Sequence, residues 1–199
     1  GLSKAQAFDE IMELNGKSEL LGDFADYKDA RLFKDKNIIV GITGSIAAYK
    51  ALELVERLIY VQAKVRVALT ATASKFIGRA AFNDWGVEAG EDEFKEINGW
   101  KAGHIAWADW ADMMIVAPAT ANTIAKRARG IADNFLTNIL LSLDNPVLFA
   151  PAMETQMHKD EATQGNIRIL KSFKTKKHFF IGPQKGLLAS GEAGWGRMS

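Results

Sequence analysis

The 199-residue chain contains no cysteine. Disulfides, thiolate metal sites and a cysteine nucleophile are thereby excluded, and the absence is compatible with a reducing compartment. An excess of charge of either sign is also lacking: 25 basic side chains stand against 24 acidic ones, for a net charge of +1. No run of five or more like charges occurs. A polyanion therefore cannot be held by field alone, and neither nucleic acid nor a membrane surface is an expected partner. Apolar runs stay well short of the ~18 residues that a membrane span needs. The first residues have neither the basic nor the apolar region of a signal peptide, which makes the cytoplasm the expected compartment. Histidine is scarce, with three in the chain, and nothing has metal-ligand spacing, so no metal is expected. There is no internal repeat and no low-complexity tract. The chain begins at Gly1 rather than methionine and closes on "GRMS", and it is expected to be a piece of a longer one.

What is present is the composition of one globular domain, 48% hydrophobic and long enough to bury about 70% of the surface its unfolded chain exposes. Residues 1 to 35 are polar and helix-prone, with Ala7, Ile11, Met12 and Leu14 forming a partial stripe, and are expected to be an appended helical arm. The domain proper is expected over residues 36 to 199. "NIIVGIT" (Asn37 to Thr43) and "KVRVALT" (Lys64 to Thr70) have the β-branched content and turn boundaries of strands. Between them Ala48, Ala51, Leu52, Val55, Leu58 and Ile59 recur at the spacing of one helical face. The alternation continues, with helix predicted over Thr72 to Phe82 and strand over Asp112 to Thr120. A long helix is predicted over Ala121 to Leu143, strand over Pro146 to Met153, helix over Asp160 to Phe173 and strand over Lys177 to Pro183. Strands alternating with helices, several of them apolar throughout, predict a doubly wound, mostly parallel sheet covered on both faces, a three-layer α/β/α domain. In that architecture ligands bind beyond the carboxyl ends of the strands, at a topological switch point.

Three predicted strand exits carry small residues and hydroxyls. "GITGSIAAYK" (Gly41 to Lys50) places Gly44 and Ser45 at the mouth of a helix, where Ser45 serves either as an N-cap or as a donor to a phosphate. "LTATAS" supplies Thr70, Thr72 and Ser74, residues that suit capping when taken alone. "APATANTIAK" (Ala117 to Lys126) lets a ligand approach the backbone and offers Asn122 and Thr123 as directed hydrogen-bonding groups. Three such exits in one chain favour a phosphate-bearing ligand. His104, in "GHIAWADWAD", is by itself more readily a satisfied surface or core histidine than a catalyst, and Trp107 and Trp110 suit packing. The terminal "LLASGEAGWGRMS", with three glycines in six residues, does not read as core.

Together these segments resemble a known family. "GITGSIAAYK", "HIxxxxWAD" from His104, "APATANTIAKxAxGIADN" from Ala117, "PAMxxxM" from Pro151 and "GxxGxGRM" from Gly191 occur in order, over Lys36 to Ser199, as in the homo-oligomeric flavin-containing cysteine decarboxylases. The similarity is closest to the phosphopantothenoylcysteine decarboxylase branch, often the N-terminal half of a bifunctional decarboxylase and synthetase in coenzyme A biosynthesis. The resemblance implies a Rossmann-like, flavodoxin-like subunit that assembles as a trimer or dodecamer, with FMN at the subunit contact. It implies FMN contacts from Gly44, Ser45, Ile46, Thr70, Thr72, Thr120, Ala121, Asn122, Thr123 and Ala152, and substrate contacts from Met153 and Arg197. The cysteinyl thiol of the substrate is oxidised, carbon dioxide is lost, and the enethiol is reduced. His104 takes the place of the family's essential histidine, at the decarboxylation stage, as a cation or hydrogen-bond donor near the departing carboxylate or as a proton carrier.

At two positions this chain departs from the family pattern. Glu154 stands where the family has an asparagine that binds the substrate carboxylate. Two carboxylates in contact repel by about 1 kcal/mol in water and more in a drier site, so a proton or a cation such as Arg197 or Lys126 must intervene. Ser190 stands where the family has a cysteine in the glycine-rich closing loop, implied to be a flap over the active site. An alcohol gives up a proton far less readily than a thiol of pKa about 8.5, so the oxidative half-reaction is expected to survive better than the reductive one. Two other classes fit the same motifs: an FMN-binding paralogue with a regulatory or assembly role, and a related enzyme such as a peptidyl-cysteine decarboxylase or a flavin prenyltransferase. The closing "GRM" favours the coenzyme A branch.

Overall fold

A computed structural model of the chain describes residues 32–91, 103–175, 177–187 and 193–198. Residues 1–31 of the expected arm (1–35) and the Ser190 position lie outside them. Six parallel strands form the main sheet in the order β3-β2-β1-β4-β5-β6: β1 (Asn37–Ile42), β2 (Lys64–Leu69), β3 (Glu88–Gly90), β4 (Met113–Ala119), β5 (Val147–Pro151) and β6 (His178–Phe180). The chain runs outward from β1 to β3 and then returns to β4 on the other side of β1. This reversal places the switch point between β1 and β4.

Alternate residues of β1 explain why it reads as one apolar run. Ile38, Val40 and Ile42 point into one core cluster and Ile39 into the other, all of them fully buried, because helices cover both faces of the sheet. One face is covered by α1 (Lys50–Tyr60), which turns Ala51, Val55 and Leu58 inward. The other is covered by α2 (Gly103–Trp110), α3 (Ala121–Arg129), α4 (Phe135–Ser142) and α6 (Glu161–Ser172), which follows the short α5 (Thr155–Lys159). Fully buried side chains such as Phe82 and Phe149 each contribute ~1.5–3 kcal/mol by leaving water.

The long helix predicted over Ala121 to Leu143 is two helices. Gly130, at φ 69°, ends α3 in the left-handed region that glycine tolerates, and Asn134 starts α4 with a reciprocal capping box to Thr137. The helix predicted over Thr72 to Phe82 is also corrected, to two 3-10 segments (Ala73–Lys75 and Arg79–Trp85). Gly78 separates them in an extended conformation, φ −81° and ψ 157°. The terminal stretch does contribute to the core: β7 (Gln184–Leu187) and β8 (Ala193–Arg197) form an antiparallel hairpin, and Met198 after it is 5% exposed within the α1-side cluster.

Behind the sheet edge lies a buried cation. Arg127, 6% exposed, donates from Nε to His178 Nε2 at 3.2 Å, and burial lowers its pKa. His178 accepts at Nε2, so that nitrogen carries no proton in this arrangement. Among the described residues, no helix is long and apolar enough to cross a membrane, and no group of three or more His, Cys, Asp or Glu side chains is placed to hold a metal ion.

Candidate functional site

The parallel register brings three strand exits to one edge. Gly41 of β1 stands beside Val116 of β4, and Ala119 of β4 beside Pro151 of β5. The next residues of each strand, Gly44–Ser45, Thr120–Ala121 and Ala152–Glu154, therefore meet at the switch point. There they line a cavity of about 540 Å³, within the size range of cofactor sites. The β8 end adds Gly196, Arg197 and Met198 to the lining. It is held by a hydrogen bond from Met153 N–H to the Gly196 carbonyl at 3.0 Å and one from Lys50 Nζ to the Met198 carbonyl at 3.1 Å.

Each turn is shaped by local chemistry. Ser45 is the N-cap of the 3-10 segment Ile46–Tyr49 that leads into α1, its Oγ accepting from Ala47 N–H at 3.3 Å. Capping uses the oxygen and leaves the hydroxyl proton for a ligand, so capping and phosphate binding by Ser45 are compatible. Gly44 lies so close to the loop after β2 that a Cβ there would sit 2.3 Å from Thr72 Cγ2 and 2.6 Å from Thr72 Cβ. Thr120 caps α3 by accepting from Thr123 N–H at 3.4 Å.

Gly44, Ser45, Ile46, Thr120, Ala121, Ala152, Met153, Glu154 and Arg197 all line the cavity. Thr70, Thr72, Asn122 and Thr123 are not in its lining. Thr70 Oγ1 accepts from Ala73 N–H at 3.2 Å, a capping bond, while Thr72 packs on Gly44 and Thr123 is buried in the first turn of α3. His104 lies at the start of α2, outside the lining, and its Nδ1 is buried with no hydrogen-bond partner among the described residues. Of the two cations expected as neighbours of Glu154, Arg197 lines the cavity. Lys126 is instead engaged by Asp133 at 2.6 Å.

Sequence reasoning missed Lys50. It lies at the start of α1, six residues after Gly44, and lines the cavity together with that turn; its place just after the Gly44–Ser45 turn is the available signal. Burial, reinforced by the neighbouring Arg197 and opposed by Glu53, pushes the Lys50 ammonium below its ordinary value of 10.5. A lysine with a lowered folded-state pKa holds its proton less tightly than in the unfolded chain. Its contribution to the free protein is therefore unfavourable at neutral pH and is relieved as pH rises from the lowered value towards 10.5. Thermal melts of Lys50→Met and wild type across that window should show the wild type gaining on the variant with rising pH. A constant difference would contradict this burial of Lys50.

Two cations, Lys50 and Arg197, together with apolar side chains such as Ile46, Phe76, Met153 and Met157, suit a ligand with an anionic group and a flat apolar body. The chain matches the family model described as Flavoprotein over residues 27–199. It is 41% identical over 168 residues to the coenzyme A biosynthesis bifunctional protein CoaBC of Bacillus subtilis, a match that covers 84% of this chain and 41% of that protein. The chain thus spans about two fifths of the length of such bifunctional relatives. It is 38% identical to a protein of Streptococcus mutans named probable phosphopantothenoylcysteine decarboxylase, over 82% of this chain and 92% of that protein. Among solved structures, a PPC decarboxylase mutant complexed with pantothenoylaminoethenethiol superposes with a TM-score of 0.76 at 31% identity, covering 83% of this chain and 92% of that one. The FMN-dependent cysteine decarboxylase SpaF gives 0.71 at 28%, covering 82% and 91%. With its parallel α/β sheet and switch-point cavity, the chain belongs to the flavoprotein family, among the relatives that include the phosphopantothenoylcysteine decarboxylases.

Proposed function

We propose that this chain is an FMN-dependent decarboxylase that converts 4'-phospho-N-pantothenoylcysteine to 4'-phosphopantetheine in coenzyme A biosynthesis. The observation that carries the reading is the switch-point cavity, with the neighbouring cations Lys50 and Arg197 in an otherwise largely apolar lining, in a chain similar to the Streptococcus protein over almost all of that protein's length.

The residues present fit FMN. The turn at Gly44–Ser45 and the Lys50 ammonium would offer a hydroxyl and a cation to its phosphate, and the small residues Thr120, Ala121 and Ala152 would leave room for a planar ring. When bound, FMN supplies a two-electron acceptor for the substrate thiol and the store from which those electrons return. The protein's own residues orient the substrate and handle its charges. Glu154, in the cavity lining, meets the substrate carboxylate only with a proton or a cation between them, and Arg197 and Lys50 are the cations in the same lining. His104 acts at the loss of carbon dioxide, as a cation or hydrogen-bond donor near the departing carboxylate. Ser190 holds the proton for the final reduction, less readily than a thiol would.

Assembly belongs to this proposal. Ile46, Tyr49, Phe76 and Met157 line the cavity yet remain 60%, 64%, 53% and 49% exposed, and His104 lies outside the lining formed by its own chain. Both observations favour a homo-oligomer, a trimer or a set of trimers, in which a second copy completes the site. A cytoplasmic location accords with the absence of cysteine.

A second reading is favoured by one observation: Glu154 lies in the cavity itself. A carboxylate there suits an FMN-binding paralogue with impaired activity, or an enzyme that stops at the enethiol as a peptidyl-cysteine decarboxylase does. Anaerobic mixing of the FMN-loaded protein with 4'-phospho-N-pantothenoylcysteine separates the readings. Carbon dioxide with 4'-phosphopantetheine is the expected result. Carbon dioxide with an enethiol that never goes on to 4'-phosphopantetheine supports an enzyme that stops after oxidation, and no carbon dioxide contradicts decarboxylation.

A further inference from the structure

Thr43 is a polar side chain in an apolar place. It directly follows β1, is 1% exposed, and carries a hydroxyl that neither the capping pattern nor the core pattern requires. Its Oγ1 donates to the Pro118 carbonyl at 2.7 Å and accepts from Thr120 N–H at 3.0 Å. Its own carbonyl accepts from Ser45 N–H at 2.8 Å. One residue therefore holds the backbone of both turns that wall the cavity, Gly44–Ser45 on one side and Thr120–Ala121 on the other.

The sheet does not do this. The β1–β4 register does not continue past Gly41 and Val116, and the pairing of β4 with β5 shifts register between Val116 and Ala119. The Thr43 hydroxyl makes two polar contacts across to the β4 exit. Thr120 passes the constraint on, since its Oγ1 caps α3 through Thr123.

We propose that Thr43 is a positioning residue for the flavin site, and that its hydroxyl rather than its bulk keeps the two turns at the spacing the ligand needs. The proposal rests on the reading that the cavity takes FMN. Valine has the same branched shape without the hydroxyl, so Thr43→Val leaves the Pro118 carbonyl and the Thr120 N–H without this partner while filling the same space. Binding must then re-order both walls, a cost that the wild-type arrangement avoids by preorganisation.

The test compares wild type, Thr43→Val and Thr43→Ser after removal of flavin. FMN is titrated at a temperature where each protein is fully folded, and binding is followed by flavin fluorescence. The expected result is a Kd raised about tenfold in Thr43→Val and close to wild type in Thr43→Ser. Amide hydrogen exchange at Thr120 in the flavin-free protein should accelerate in the valine variant and recover in the serine variant. A melting temperature lowered with FMN affinity unchanged overturns the proposal and leaves Thr43 a stability residue only. Should Thr43→Val fail to fold, Thr43→Cys, with a weaker donor in the same place, is expected to bind FMN more weakly than wild type, and wild-type affinity there overturns the proposal. A wild-type chain that takes no FMN defeats the cavity reading. Thr120 exchange still decides whether Thr43 ties the turns, and unchanged exchange in Thr43→Val shows that it does not.

Discussion

Gly44→Ala is expected to yield a folded protein that retains almost no flavin. The added Cβ would sit 2.3 Å from Thr72 Cγ2 and 2.6 Å from Thr72 Cβ, far inside the ~3.5–4.0 Å at which carbon atoms rest against each other. Rotation of Thr72 can move Cγ2 away but not Cβ, which is fixed to the backbone. Either the loop after β2 or the Gly44–Ser45 turn must therefore shift. Overpacking of this kind costs about 1–3 kcal/mol in stability. The larger effect is on the ligand, because a displacement of about 1 Å in a positioning element can cost on the order of 100-fold. Flavin content after purification and an FMN titration measure it. Thr72→Gly removes both colliding atoms, so Gly44→Ala/Thr72→Gly should recover much of the lost affinity. Full FMN affinity in Gly44→Ala alone would mean that this turn is not a wall of the flavin site.

Ser190→Cys is expected to change what the enzyme releases. After loss of carbon dioxide, a proton must be given to the enethiol carbon framework as the electrons return. A serine hydroxyl has a pKa several units above the ~8.5 of a thiol, and is the poorer acid by that margin. A positioned general acid contributes roughly 10²- to 10⁴-fold. The wild-type chain should therefore release carbon dioxide faster than it forms 4'-phosphopantetheine, with enethiol accumulating in a single turnover. The cysteine variant should raise the second rate towards the first while leaving the carbon dioxide burst unchanged. An identical product ratio in the two proteins would show that position 190 does not carry the proton.

Much of the fold was legible because both faces of the sheet are buried. Strands such as Met113–Ala119 are buried at every position, and a short, continuous apolar run with a turn at each end is what a strand covered on both faces requires. The break between α3 and α4 was also written in the chain, as Gly130 followed by the Asn134–Thr137 capping pair, but the apolar period on both sides of it suggested one continuous helix. The cavity-lining turns were legible for a physical reason: a backbone that must approach a ligand needs small residues and hydroxyls, and Gly44, Ser45, Thr120 and Ala121 are all of that kind. Lys50 and Thr43 were not. Lys50 looks like any cation on an amphipathic helix until Arg197 and the Met198 carbonyl arrive from the far end of the chain. The importance of Thr43 depends on hydrogen bonds that span 75 and 77 residues, which no local pattern encodes. His104 is the reverse case. The family motif singles it out, and the fold of one chain leaves it outside the cavity lining.

The proposed function requires that the switch-point cavity hold a flavin at which a cysteinyl substrate is oxidised. The absorption spectrum of the purified protein, recorded anaerobically before and after addition of FMN and then of 4'-phospho-N-pantothenoylcysteine, tests it most directly. Flavin bands corresponding to one FMN per chain are expected, fading when substrate is added and carbon dioxide appears. A spectrum without flavin bands even after FMN is supplied would contradict it.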